Sequence, residues 1–177
     1  MVICIVSNNI NFCILYTFIF SFTNNRKPFK KYMKIYHSYF SFWTKFENKQ
    51  NYCWVAITKT VPQHYVGNIY KTLAPTNELF LNTCEHYNRN IFFKKYANYL
   101  KTLDKKEILN DLFSFSKNNK DIVLLNWEDL SKESEGRFAY AWLFNLNMKK
   151  ANEFDLENIL RQEKIKNEIL GNNFLTL

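Results

Sequence analysis

The side chains in this sequence that could do chemistry fall at the ends of short apolar runs. MKIYHSYF (Met33–Phe40) delivers His37 and Ser38, CWVAIT (Cys53–Thr58) delivers Thr58 and then Lys59, and DIVLLNW (Asp121–Trp127) delivers Asn126, Trp127 and then Glu128. Each run has the length and β-rich composition of a strand. The third holds four consecutive apolar residues, Ile122 to Leu125, as expected of a central strand covered on both faces. Open parallel sheets bind ligands outside the carboxyl ends of their strands. If these strands run parallel, their polar residues share one edge.

A cation is available to that edge. ESEGRFAYAWLFNLN, residues 133–147, reads as a helix that is apolar nearly all round, with Arg137 in its first turn beside backbone N–H groups that favour anions. Lys59, Arg137 and that helix end would together hold a phosphate or a carboxylate. Glu128 would serve there as an acid or base, or would orient Arg137. The other reading is a structural Glu128–Arg137 pair that ties a strand to its helix. His64 is expected on a surface loop and His86 near a helix end, while Trp127 and Trp142 suit a core better than a stacking platform.

The elements between the runs set the architecture. Residues 40–50 read as a short helix or loop, and residues 59–75, punctuated by Pro62, Gly67 and Pro75, as an irregular loop. Thr76 is placed to cap a helix through Glu85. Phe92, Tyr96, Tyr99, Leu100 and Leu103 recur at helical spacing, with Lys94, Lys95, Asn98 and Lys101 opposite. Asp104 followed by Glu107 has the form of a capping box for a third helix, and Phe154–Leu170 forms a last one. The order β-α-β-ααα-β-α-α predicts a small, mainly parallel, three-stranded sheet flanked by helices, a Rossmann-like α/β domain.

Absences narrow the chemistry. With three glycines, Gly67, Gly136 and Gly171, the chain holds neither G-x-G-x-x-G nor a P-loop, and no H-E-x-x-H, nucleophile elbow or carboxylate cluster is present. Dinucleotide-dependent redox chemistry, Walker-type NTP hydrolysis and zinc proteolysis are therefore not expected, and neither a metal nor a cofactor is implied. The cysteines, at positions 4, 13, 53 and 84, form no C-x-x-C pair. Free thiols fit a reducing cytoplasm, the expected location.

The formal net charge of +8 suggests a polyanionic partner. Residues 1–32 carry four of the 24 basic side chains and none of the 16 acidic ones, so half of that excess lies outside the body. The apolar run Ile10–Phe22 is shorter than the roughly 20 residues of a bilayer span and has its charges after it, unlike a signal peptide. It reads as a signal anchor, as an extra packed element, or as upstream sequence ahead of a start at Met33. The last is the reading preferred here, which leaves residues 33–177 as a single domain.

Residues 33–145 resemble the domain of unknown function 488 family, an uncharacterised group of small α/β proteins. The resemblance rests on MKIYHSYF (Met33–Phe40), ITK (Ile57–Lys59), PQHYVG (Pro62–Gly67), YKTLAP (Tyr70–Pro75), VLLNWE (Val123–Glu128), SEGR (Ser134–Arg137) and AYAWL (Ala139–Leu143). YKTLAP is the most specific piece, and the family's opening strand coincides with Met33. The chain also departs from the pattern. The family's cysteine after the third strand is Asn126, its Cys-His pair falls on Ser134 and Glu135, and its I-S-R arginine is Lys59, which keeps charge without bidentate geometry. Family chemistry that needs those thiols or that histidine would be lost here.

The expected function is binding of a small anionic or nucleotide-like ligand at an edge formed by His37, Ser38, Lys59, Asn126, Glu128 and Arg137, with Glu128 the candidate catalytic group. Two alternatives stand beside it. One is a nucleic-acid-associated accessory protein using Lys94, Lys95, Lys101, Lys105 and Lys106, and the other is a membrane-anchored protein held by residues 10–22.

Overall fold

The computed structural model describes residues 33–81, 88–127 and 134–173, all within the compact unit Met33–Leu177. Four parallel strands form its sheet: β1 (Ile35–Tyr39), β2 (Tyr52–Ala56), β3 (Asn68–Ile69) and β4 (Asp121–Asn126). Their spatial order is β1-β4-β2-β3, so the last strand in sequence is inserted beside the first. The expected α/β class and parallel sheet are present. The sheet has one strand more than the sequence reading, because Asn68–Ile69 within the supposed irregular loop pairs with Val55–Ala56.

β4 organises the rest. Ile122, Val123, Leu124 and Leu125 are all fully buried, paired on one side with β1 and on the other with β2. Side chains alternate across a strand, so β4 feeds two cores. Ile122 and Leu124 join Ile35, Val55 and Ile57 beneath α3 (Arg89–Lys101), α4 (Lys105–Phe115) and α5 (Glu135–Phe144). Val123 and Leu125 join Trp54 and Ala56 against α1 (Phe40–Lys45) and the start of α7 (Leu156–Asn173), through Phe40, Trp43 and Leu156. The short helices α2 (Asn77–Leu81) and α6 (Met148–Ala151) complete the chain order.

Helix starts follow side-chain capping chemistry. Asn88 accepts from the N–H groups of Asn90 and Ile91, Asp104 from those of Lys106 and Glu107, Ser134 from Arg137, and Asn147 from Lys150. Asp155 accepts from Asn158 N at 2.9 Å in the first turn of α7. The expected continuous helix over residues 133–147 is shorter, because Asn145 takes a left-handed conformation (φ 55°) that ends α5. Asn tolerates that conformation better than most residues.

YKTLAP proves to be a packing device. Leu73, Ala74 and Pro75 are buried, and the Leu73 carbonyl accepts a hydrogen bond from the fully buried Tyr96 hydroxyl at 2.5 Å. The Thr72 carbonyl accepts from Tyr99 at 2.9 Å, and Tyr70 donates to Asp111 at 2.9 Å. Each bond ties the segment to α3 or α4 without exposing a reactive group.

Because β4 supports both cores, Leu124→Ala is expected to lower unfolding stability by about 2–5 kcal/mol in a urea titration, as deep large-to-small core changes do. A loss below 1 kcal/mol would show that the core beneath α3–α5 does not depend on this strand.

Candidate functional site

The strand order places the carboxyl ends of β1, β4 and β2 side by side. Tyr39 is in register with Asn126, and Ile57 N donates to Leu125 O at 2.9 Å. Asn126, buried at 1% exposure, thus sits in the middle of the edge. Its side chain lies against the first turn of α5 so closely that a Cβ on Gly136 would be 2.5 Å from its Oδ1 and 2.7 Å from its Cγ. Glycine at 136 is required by that approach, and the following residue is Arg137.

The predicted residues divide between surroundings. His37 and Ser38 are both fully buried, and strand alternation sends them to opposite faces of the sheet. Lys59, partly exposed just beyond β2, donates to Asn77 Oδ1. Trp127 is half exposed, donates to Thr60 O at 2.8 Å and packs its ring on Phe40. Glu128, the candidate catalytic group, lies outside the described residues, as does His86.

The sequence reading missed Asp155. This residue bridges to the free side of β1 opposite His37, and its side chain is 1% exposed. His37 donates from Nε2 to the Ala151 carbonyl at 2.8 Å, which fixes the neutral tautomer and leaves the Nδ1 lone pair available. Asp155 Oδ2 lies 3.9 Å from that Nδ1, and neither atom has a hydrogen-bond partner. Two acceptors therefore face each other in a dry environment.

Electrostatics follow from that arrangement. Burial pushes the His37 pKa down to about 4, the Ala151 bond working against it and the Arg137 charge with it. Burial pushes the Asp155 pKa up to about 6, aided by Glu157 and opposed by Asn158 N–H and Arg137. Near neutrality the pair is not an ion pair, since His37 is uncharged. Arg137 is the cation whose field reaches both groups. Its charge thus couples it to His37 and Asp155, while its neighbour Gly136 abuts Asn126.

The alternative basic surface is partly committed elsewhere. Lys105 donates to Trp142 O and Asn145 Oδ1, both at 2.5 Å, and lies over the Trp142 ring, so it caps α5. Lys94, Lys95, Lys101 and Lys106 are exposed on α3 and α4. Among the described residues no helix is long and apolar enough to cross a membrane, and no three His, Cys, Asp or Glu side chains are grouped to hold a metal ion. Residues 10–22 lie outside the described residues.

Two predictions arise from this geometry. Gly136→Ala should destabilise the protein by about 1–3 kcal/mol through overpacking, despite the roughly 1 kcal/mol that Ala normally gains over Gly in a helix. In an Asn126→Ala background the clashing Oδ1 and Cγ are gone, so the cost should shrink or reverse. Equal costs in both backgrounds by thermal unfolding would refute the contact.

The second concerns pH. His37, with its pKa depressed from 6.5, contributes stability that is present above pH 6.5 and lost as pH falls towards 4. Asp155, with its pKa raised from 3.8, contributes stability that is present below pH 3.8 and lost as pH rises through 6. Each effect is worth about 3 kcal/mol across its window, so in the intact protein the two offset. Relative to wild type, Asp155→Asn should lose stability progressively from pH 6 to 4, and His37→Gln should gain it. Parallel stability–pH curves for all three proteins would contradict this.

No family model matches the chain, and neither the curated proteins nor the solved structures include a significant match.

Proposed function

We propose that this chain is a ligand-binding α/β protein that takes a small anionic, nucleotide-like molecule at the C-terminal edge of its sheet. Lys59, Asn126 and Arg137 are the recognition groups in this reading. The observation that supports it is the Asn126–Gly136 contact, which seats the first turn of α5, and Arg137 with it, over the middle of a parallel sheet's carboxyl edge. A guanidinium offers five donors in a planar fork suited to phosphate or carboxylate oxygens. A lysine on the neighbouring strand end and a buried amide between them supply charge and orientation. Three positions of the domain of unknown function 488 pattern fall on this edge, Arg137, which the chain keeps, and Lys59 and Asn126, where it departs, and membership in that family is part of the proposal.

Isothermal titration of the full chain with inorganic pyrophosphate and ADP tests this reading. Both ligands are expected to bind, and Arg137→Gln should weaken each by tenfold or more, since a hydrogen bond to a charged group is worth about 1.5–3 kcal/mol. Lys59→Gln should weaken them less. Affinity that is undetectable, or indifferent to Arg137→Gln, would remove the edge from consideration.

A further inference from the structure

A concavity lies at the other end of the sheet. It has a volume of about 820 Å³ and opens where β2, the approach to β3 and the approach to β4 begin. Its walls are the aromatic side chains of Trp43, Tyr52, Trp54 and Phe115. Its cations are Lys49, Lys117 and Lys120, and no Asp or Glu lines it. That volume lies in the range of small-molecule sites, which are typically apolar with a few placed polar groups.

Two of the lysines are held in position. Lys49 Nζ donates to Phe46 O at 2.7 Å and to Thr44 O at 3.3 Å, and sits 5.2 Å from the Trp43 ring centroid. Lys120 donates to Gln50 O at 2.5 Å. An ammonium has three donors, so Lys120 keeps two for an incoming acceptor, and Lys117 is exposed. Trp43, one of the walls, is only 5% exposed, and its indole N–H is buried without a hydrogen-bond partner. Buried polar groups normally have partners. Asp121 and Glu163 lie outside the lining, and their charges, after burial, push the Tyr52 hydroxyl up.

We infer that this groove is a binding site for an aromatic anion of the size and chemistry of a nucleoside monophosphate, its ring against the tryptophan and tyrosine walls and its phosphate among Lys49, Lys117 and Lys120. The ligand is committed by charge and shape together. Apolar walls alone would take any hydrophobe, and lysines alone any anion, whereas this lining rewards a molecule that carries both. The inference is independent of the C-terminal edge, which uses different residues at the opposite end of the strands.

Titration of the full chain with AMP, followed by heat and by tryptophan fluorescence excited at 295 nm, tests it. AMP should bind, and adenosine and inorganic phosphate should each bind at least tenfold more weakly. Lys117→Gln combined with Lys120→Gln should weaken AMP at least tenfold and leave adenosine unchanged, with thermal unfolding confirming that the variant is folded. Lys117→Glu, a change at an exposed position, provides the same test with less risk to the fold. The inference is overturned by absent AMP binding, by AMP binding no tighter than phosphate, or by binding that Arg137→Gln abolishes and the lysine variants leave intact. A single-stranded oligonucleotide that binds when AMP does not would also overturn it, in favour of an extended nucleic-acid surface.

Discussion

The central strand carries a constraint that the rest of this protein must satisfy. β4 donates and accepts along both edges, to β1 and β2, while its side chains enter two separate cores. Its backbone polar groups are therefore paired in the ladder, as groups cut off from water must be. A slip of one residue would exchange Ile122 and Leu124 with Val123 and Leu125, and turn every contact of α3–α5 and of α1 and α7 towards the wrong face. The register that avoids this also sets where each strand ends. Asn126 is polar, yet buried, because it is the first residue past the four that must be apolar.

The same constraint explains the placement of the buried ionisable pair. β1 has β4 on one side only, and its other edge is met by the backbone of Asp155 as the chain enters α7. Asp155 is drawn into the interior by that bridge and is kept hydrogen-bonded there by capping α7. His37, on the paired position of β1, is anchored by the Ala151 carbonyl and packed against the Tyr140 ring. A helix cap and a strand edge have brought two titratable groups together where neither could be solvated. Opposed shifts in pKa are the physical consequence, and Arg137 tempers the carboxylate's share.

The sequence displayed the architecture well and the site incompletely. The run Ile122–Leu125 announced a doubly covered strand, and Asp104, followed by Glu107, announced the start of α4. β3 was not legible, since two residues within a loop have no periodicity to read. Asp155 was hidden for a different reason. It precedes a helix, where an acidic residue is ordinarily a solvated cap, and only the β-bridge to a strand over a hundred residues earlier buries it. Gly136 could have been flagged, as a glycine inside a helix that is otherwise apolar and well formed, but the partner that demands it, Asn126, is visible only in three dimensions.

The two ends of the sheet are chemically unlike, and the difference has a structural origin. At the carboxyl end, α5 begins directly against the strand, so close that one methyl group will not fit, and the Asn126 amide there is buried. At the amino end, the connections into β2, β3 and β4 arrive from α1, a long loop and α4, and their separation leaves a groove that aromatic side chains line without filling. An abundance of aromatic residues accounts for broad walls, but it does not account for three lysines without a carboxylate. Composition alone would scatter both signs of charge. The tight end is thus suited to holding a compact anionic group by a few directed hydrogen bonds, and the open end to holding a larger molecule by surface contact and charge. The two proposed binding tasks are physically distinct, and they fall at opposite ends of the strand that supports both cores.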